Sequence, residues 1–572
     1  MPSLGANGPE DAIRAPGAVA GATPAGHGRA SSFVVPVLSA LVVLLAVLTG
    51  TLWWLRPSPF ELVMVAPEDG GDEHKALPGR AVELKAVLQG PSRMLFDYEW
   101  DFGDGKAVER GQVKDFYNLG ARHAYRDARP GSLYVAALTV TERDSGRRIK
   151  RPYRIHFVEL SEENRTAVAI EDGLWALHVK AERRESAVEG QTLRWSRRDA
   201  RWRSITALNV LALEVLGHNL RGDERTDPYV EDVRRGLNCL VQELSTCAIS
   251  KVGDRDPDAN KNTKGLTLAS SPDPVYEAAS VLLALAHCGV AQQKVVAVGE
   301  KQDQLVGRRY RFLAEELIDY LAYAQNDEGA AAGGWGVKEN VDTSTEVNSA
   351  YVVLGFQAAE KQMGVGTPKW VRTELRETFL KTTQGEDGRF GPAAGKPSVV
   401  HTASGIVCLS FCDVGAKDPR AQNAAMAVGG NWTEDHLGRA DVMYMVSRAG
   451  LSARPVLDRF GTHEWRKEYR PLILDKQQEN GLWPAQRGAD ETLAAAYAMM
   501  ILQEKTVSPR ALTWWWIGGP IGVAVALGVT LGGWWWRRWR GSAPSAVPPQ
   551  APAPPAPPTA FDELMTEIRP PR

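Results

Sequence analysis

The chain has 572 residues, with 67 basic against 69 acidic side chains and a formal net charge of −2. That length allows several domains at roughly 100–200 residues each, and the balanced charge argues against nucleic acid as a partner. The five cysteines (Cys239, Cys247, Cys288, Cys408 and Cys412) contain no C-x-x-C pair, which excludes zinc-ribbon and thioredoxin-like chemistry. An oxidising compartment would permit one disulfide, between Cys239 and Cys247.

Residues 1–32 are rich in Gly, Ala and Pro and are expected to be disordered. An uncharged apolar run follows at 33–55 and ends in Trp53 and Trp54. About 20 such residues cross a bilayer as a helix, and indole rings favour its interface. A cleaved signal peptide is the competing reading. The long, weakly basic segment before the run and the lack of a small-residue cleavage site after it favour an uncleaved anchor.

Residues 60–160 read as short strands between turn signals. Val82–Leu88 alternates apolar and polar positions, and Leu133–Thr141 is rich in β-formers; a β-sandwich is expected. Tyr98-Glu-Trp-Asp-Phe-Gly-Asp-Gly105 places Trp100 and Phe102 on one face of a strand and then turns tightly at Gly103-Asp104-Gly105. With His123-Ala-Tyr125, the stretch resembles the W-D-F-G-D-G signature of PKD domains. The resemblance implies an immunoglobulin-like spacer in which Trp100, Phe102 and Asp104 hold the fold.

From 161 to 505 the pattern turns helical, as in Phe312, Leu313, Leu317, Ile318 and Leu321 on one stripe. A loop motif repeats: Gln325-Asn-Asp-Glu-Gly before Gly333-Gly-Trp335, Gln384-Gly-Glu-Asp-Gly-Arg-Phe390, Gly430-Asn-Trp432, and Gln478-Glu-Asn-Gly-Leu-Trp483. Each loop is followed by a helix opening on polar residues, with Asp342, Asp441 and Asp490 suited to cap free amides. Two more degenerate helix starts lie at Trp202 and Asp273. Candidate outer helices lie near 165–182, 228–244, 308–325, 368–382, 418–428 and 462–478. Six outer and six inner helices would close an α/α toroid.

The Gln-x-x-Asp/Asn-Gly-x-Trp/Phe loops resemble the repeats of the squalene cyclase and protein prenyltransferase superfamily. The stretch from Asp441 through His463-Glu-Trp465 to Trp483 is similar to bacterial membrane proteins carrying such repeats. A HEAT-type solenoid shares the period without the Gly-aromatic loop. The chemistries which the resemblance implies lack their residues here. There is no D-x-D-D acid, no Asp-x-Cys partner for the zinc-type helix start at His401–Cys408, and no C-G-E-Q thioester. No cofactor is expected.

First turns of the inner helices nevertheless point toward one toroid mouth, where Glu277, Asp342, Glu346, His401, Asp441, Asp490 and Glu491 would converge. Paired carboxylates with a histidine there suit acid–base work on a glycan or capture of a cation; helix capping accounts for the same residues. Asp254-x-Asp-x-Asp-x-Asn260, through Asp254, Asp256, Asp258 and Asn260, has the early spacing of a calcium loop. It lacks the expected Gly and Glu, with Ala259 and Gly265 in their places.

A second apolar run, 511–536, lies between Trp514–Trp516 and Trp534–Trp536 and precedes Arg537, Arg538 and Arg540. Basic residues beside a span stay cytoplasmic. The expectation is a two-pass inner or plasma membrane protein with both termini cytoplasmic and residues 56–510 extracytoplasmic. After a Pro-rich spacer, Phe561, Leu564, Met565 and Ile568 share one face of a short helix, suited to docking in a partner's groove. The leading expectation is a non-catalytic binding or scaffolding role at the cell envelope, with an envelope polysaccharide or protein as partner. The alternatives are an enzyme on a polysaccharide or lipid-linked isoprenoid, and signal relay through the C-terminal tail.

Overall fold

The computed structural model describes residues 60–505, apart from 92, 107, 187–189, 297–304, 330–331, 340, 392–395 and 486–489. The chain divides into two compact units, one reaching to Glu159 with Arg225–Pro228, the other formed by Leu160–Glu224 and Tyr229 onward.

The first unit holds β1 (Glu61–Met64), β2 (His74–Ala76), β3 (Val82–Leu84), β4 (Ala86–Gln89), β5 (Phe96–Asp101), β6 (Glu109–Gln112), β7 (Ala121–His123), β8 (Leu133–Glu142) and β9 (Arg148–Phe157). A five-stranded sheet runs β2-β9-β8-β5-β6, beside the pairs β1-β4 and β3-β7. Alternation sets the inner face: Ala136, Leu138 and Val140 of β8 and Tyr153, Ile155 and Phe157 of β9 are buried with Phe96 and Trp100. The Trp100 indole donates to the Leu119 carbonyl at 2.9 Å. Beyond β5 the chain turns at Gly103, with φ of 72°. The Asp104 carboxylate meets His123 Nε2 at 2.9 Å, and His123 stacks on Phe102 with centroids 4.0 Å apart. A Cβ at Gly103 would collide with the Val135 carbonyl. Gly103→Ala is therefore expected to cost at least about 1–2 kcal/mol from the left-handed backbone alone. Urea unfolding followed by circular dichroism checks it; an unchanged midpoint would show that the turn relaxes freely.

The second unit is helical: α1 (Glu162–Lys180), α2 (Trp202–Val215), α3 (Pro228–Glu243), α4 (Pro274–His287), α5 (Tyr310–Tyr323), α6 (Glu346–Met363), α7 (Lys369–Glu374, continued through a π turn Leu375–Phe379 and Leu380–Thr383), α8 (Val399–Phe411), α9 (Pro419–Gly429), α10 (Glu434–Leu437), α11 (Ala440–Ser452), α12 (Trp465–Lys476) and α13 (Glu491–Leu502). Two hairpins, β10-β11 (Glu182–Ser186 with Gly190–Arg194) and β12-β13 (Ser245–Ala248 with Lys264–Thr267), join the helices. Helices α2, α4, α6, α8, α11 and α13 pack each against the next, and α13 packs back on α2. This is a closed inner ring, apolar nearly all round because each helix is buried on both sides. Helices α1, α3, α5, α7, α9 and α12 alternate with the ring helices along the chain.

The repeated loops fasten the layers. The Trp335 indole donates to the Leu321 carbonyl in the last turn of α5 at 2.7 Å, and the Trp483 indole to Ile473 of α12 at 2.7 Å. Each thus satisfies a carbonyl near the end of the preceding helix. Backbone N–H groups of Trp335 and Phe390 donate to hydroxyls on the following inner helix, Ser349 at 3.1 Å and Thr402 at 3.2 Å. Gln325 Nε2 holds the carbonyls of Gly333 at 2.8 Å and Val371 of α7 at 3.1 Å. Gln384 does the same for Gly388 at 3.4 Å and Arg420 of α9 at 2.9 Å. Gln477 holds Gly481 at 2.9 Å and Ala169 of α1 at 2.8 Å. Each glutamine therefore ties its loop to a later outer helix, and Gln477 ties the last loop to the first outer helix. The residue in the final repeat is Gln477, one place before the Gln478 expected from spacing.

Several expectations are corrected here. Among the described residues no helix is long and apolar enough to cross a membrane. The fold with two flanking transmembrane helices and the two-pass placement are corrected on that finding. The runs at 33–55 and 511–536, the leading 1–32 and the tail residues Phe561, Leu564, Met565 and Ile568 lie outside the described residues. No disulfide joins Cys239, buried on α3, to Cys247, half-buried on β12.

Candidate functional site

A cavity of about 390 Å³ opens where the first turns of the inner helices meet. All six ring helices line it: Ser204 and Ile205 of α2, Tyr276 of α4, Val347, Asn348 and Tyr351 of α6, Val400 of α8, Asp441 and Met445 of α11, and Leu493, Ala494 and Tyr497 of α13. Asp199, Arg201, Asp273, Arg439 and Asp490, at or just before helix starts, complete it.

Six helix N-termini aimed at one space create a positive potential, which carboxylates there offset. Asp273 caps α4 by accepting the Tyr276 N–H at 3.3 Å. Burial pushes its carboxyl up to about 6, against the pull of that hydrogen bond and of the Arg201 charge. Asp490 caps α13, accepting the N–H groups of Thr492 at 2.8 Å and Leu493 at 3.2 Å and contacting the Ser196 hydroxyl. Asp441 lies 2.5 Å from the Arg439 guanidinium. Asp199 accepts the Arg201 N–H at 2.8 Å. Three tyrosines line the cavity: the phenol oxygens of Tyr351 and Tyr497 are 2.7 Å apart, Tyr276 meets Tyr351 edge-on at 4.7 Å, and Tyr444, behind the lining, stacks on Tyr497 at 4.7 Å. Burial pushes the Tyr351 and Tyr497 phenols well up, so they stay neutral.

Of the residues expected at the mouth, Asp441 and Asp490 line the cavity; Glu277, Asp342, Glu346, His401 and Glu491 do not. Glu277 is buried, 3.8 Å from Arg203 and accepting the Ser204 N–H at 3.4 Å. Asp342 is exposed in a loop. It does not cap α6, because Thr345 holds that place and accepts the Asn348 N–H. Asp441 is likewise inside the first turn of α11, whose N-cap is Arg439. His401 Nδ1 lies 2.8 Å from the Ser398 hydroxyl, and burial lowers its pKa. Glu491 pairs with Lys180 at 2.6 Å. Glu346 is wholly buried, and burial pushes its carboxyl up to about 7.

The acidic loop is internally satisfied. Asp254 is exposed. Asp256 pairs with Lys251 at 3.0 Å and Lys261 at 2.5 Å, which pull its carboxyl down to about 2. Asp258 accepts the N–H groups of Asn262 at 3.2 Å and Thr263 at 2.6 Å, and Asn260 donates to Glu316 at 2.7 Å. Among the described residues no group of three or more His, Cys, Asp or Glu side chains is placed to hold a metal.

Sequence reasoning missed Asp199, Arg201, Asp273 as a site group, Arg439 and the tyrosines. One signal was present: Tyr276, Tyr351, Tyr444 and Tyr497 each fall within the first two turns of an inner helix.

The fold and site define an α/α toroid with a ligand-sized cavity at one mouth. No protein-family model matches the sequence, and no curated protein matches it. Among solved structures, the chain is similar to a family 76 glycoside hydrolase from a bovine Bacteroides thetaiotaomicron strain, with 11% identity over 75% of this chain and 98% of that one, at a TM-score of 0.41. It is also similar to a Salmonella alpha-2-macroglobulin mutant, with 10% identity over 79% of this chain and 25% of that one, at a TM-score of 0.27. Neither likeness assigns an activity. The expected membership in PKD and squalene cyclase families is corrected: no family model supports either.

Proposed function

We propose that the helical unit acts on a glycan, taking a sugar unit into the cavity and performing acid–base chemistry on its linkage. The observation that carries this is Asp273. It is a half-buried carboxyl with no cation bonded to it among the described residues, in the same cavity as the Arg439-bound carboxylate of Asp441. Glycosidic cleavage needs one protonated carboxyl at the leaving oxygen and a second carboxylate for water or the sugar carbon. Environments that treat two carboxyls differently are how one site supplies both. The lining tyrosines and the apolar walls of Ile205, Val347, Val400, Met445 and Leu493 suit the apolar faces of a pyranose, while the carboxylates meet its hydroxyls. Four carboxyl groups on so small a cavity argue against an isoprenoid chain, which would leave them unpaired against hydrocarbon.

In this assignment Asp273 donates the proton and Asp441, with its side chain 47% exposed, activates water. Asn caps a helix as well as Asp does, so Asp273→Asn preserves α4 and removes the proton. The full-length variant is expected to lose about 10²-fold in turnover of the glycan with KM little changed. Release of reducing ends from a panel of soluble polysaccharides is the measurement. Equal turnover by the variant, or none by the native chain on any glycan, would overturn the reading.

A further inference from the structure

We infer that the cavity is a dead-end pit which admits only the terminal unit of a chain; this rests on the glycan reading above. Its wall is closed. Each of the six ring helices packs on the next, the last packs on the first, and each contributes at least one lining residue. Tyrosines cross its inner end. The Tyr351–Tyr497 phenol contact spans α6 and α13 across the ring, Tyr276 fills in from α4, and Tyr444 stacks from α11. Asn209 Nδ2 donates to Thr492 Oγ1 at 2.9 Å, tying α2 to α13. Gly355 of α6 is so close to α4 that an added Cβ would lie 3.1 Å from Leu282.

An internal sugar carries two linkages that leave it in different directions. A space closed at the sides and crossed by tyrosines at its inner end has an exit for one of them. The volume of about 390 Å³ is also near the lower end of the roughly 300–1,000 Å³ usual for ligand sites, too little for several sugars of a through-running chain. A terminal unit has one linkage. It places that linkage at the rim, level with Asp273 and Asp490 at the helix starts, while its ring rests toward the tyrosines.

The test uses the full-length protein and linear hexasaccharides of β-1,4-glucose, α-1,4-glucose and β-1,4-N-acetylglucosamine, each labelled at the reducing end. Products are resolved at early turnover. The expected result is loss of one unit at a time from a single end, exceeding internal products by at least roughly tenfold. A first-turnover mixture of internal fragments would overturn the inference and leave the glycan reading standing. If a hexasaccharide is bound without turnover, saturation-transfer NMR reads the same question. Contacts confined to one terminal residue support the pit, and contacts spread along interior residues refute it. Absence of turnover across the panel would remove the catalytic reading, and absence of binding as well would remove the inference with it.

Discussion

Trp335→Ala is expected to remove about 3–5 kcal/mol of stability from the helical unit, the usual cost of deleting a buried tryptophan. Trp335 has no exposed surface. Its ring packs edge-on against Phe356 with centroids 6.0 Å apart, its indole N–H bonds the Leu321 carbonyl at 2.7 Å, and its backbone N–H bonds Ser349 at 3.1 Å. The surroundings have little freedom to collapse into the gap. A Cβ on Gly333 would meet the Glu374 carbonyl, and one on Gly334 would lie 2.7 Å from both Phe379 and Ser344. The loop thus backs directly onto the π turn of α7. Alanine would also leave the Leu321 carbonyl buried without its partner, adding about 1–3 kcal/mol. Trp335→Phe keeps most of the apolar burial and loses the N–H, so its cost should be the smaller of the two. Domains of this kind have about 5–15 kcal/mol in total, so the alanine variant should be marginal. Urea titrations of native and both variant chains decide the matter; an alanine variant within about 1 kcal/mol of native would mean that the loop does not fasten the layers.

The same loop shows which parts of the molecule a sequence reveals. A glutamine, a glycine turn and an aromatic recur in the loops at Trp335, Phe390 and Trp483 because each fastens its layers in the same way. The need repeats along the chain, so it leaves a visible period. Trp195 escaped notice although it does the same work, with its indole on Leu177 at 2.9 Å and its N–H on Thr206 at 3.2 Å. In that repeat the hairpin β10-β11 replaces the glycine loop. The cavity left less trace. Its members meet only through ring closure, as when Tyr351 reaches Tyr497 or Asp490 reaches Ser196. Those pairs are far apart in sequence and share no motif. Acidic residues at helix starts were legible as a class, but whether each faces the axis depends on its angle around the helix. One residue decides between lining the cavity, as Val347 and Asn348 do, and burial away from it, as in Glu346.

Glu346 yields the second large effect, and its sign follows from that burial. Burial is the dominant influence on its carboxyl and pushes it from the usual 4.5 up to about 7; its own backbone N–H and Thr383 pull the other way too weakly to offset it. Neither oxygen makes a well-formed hydrogen bond. In the unfolded chain the group ionises near its ordinary value, whereas the folded chain keeps the proton until about 7. Between these values the folded state binds more protons, so stability falls as pH rises through the window and levels off above it. The shift corresponds to about 3 kcal/mol. Glutamine has nearly the shape of the protonated acid and does not ionise. Glu346→Gln should therefore match the native chain near pH 4, gain on it steadily through pH 5–7, and be more stable by about 3 kcal/mol at pH 8. Asp273 and Asp319 are also pushed up by burial, to about 6 and about 7. They are common to both chains and cancel in the difference. Urea midpoints at pH 4, 6 and 8 measure it. A gain independent of pH would place its origin in packing, and a loss at pH 8 would show that Glu346 is folded as an anion with a cation bound beside it.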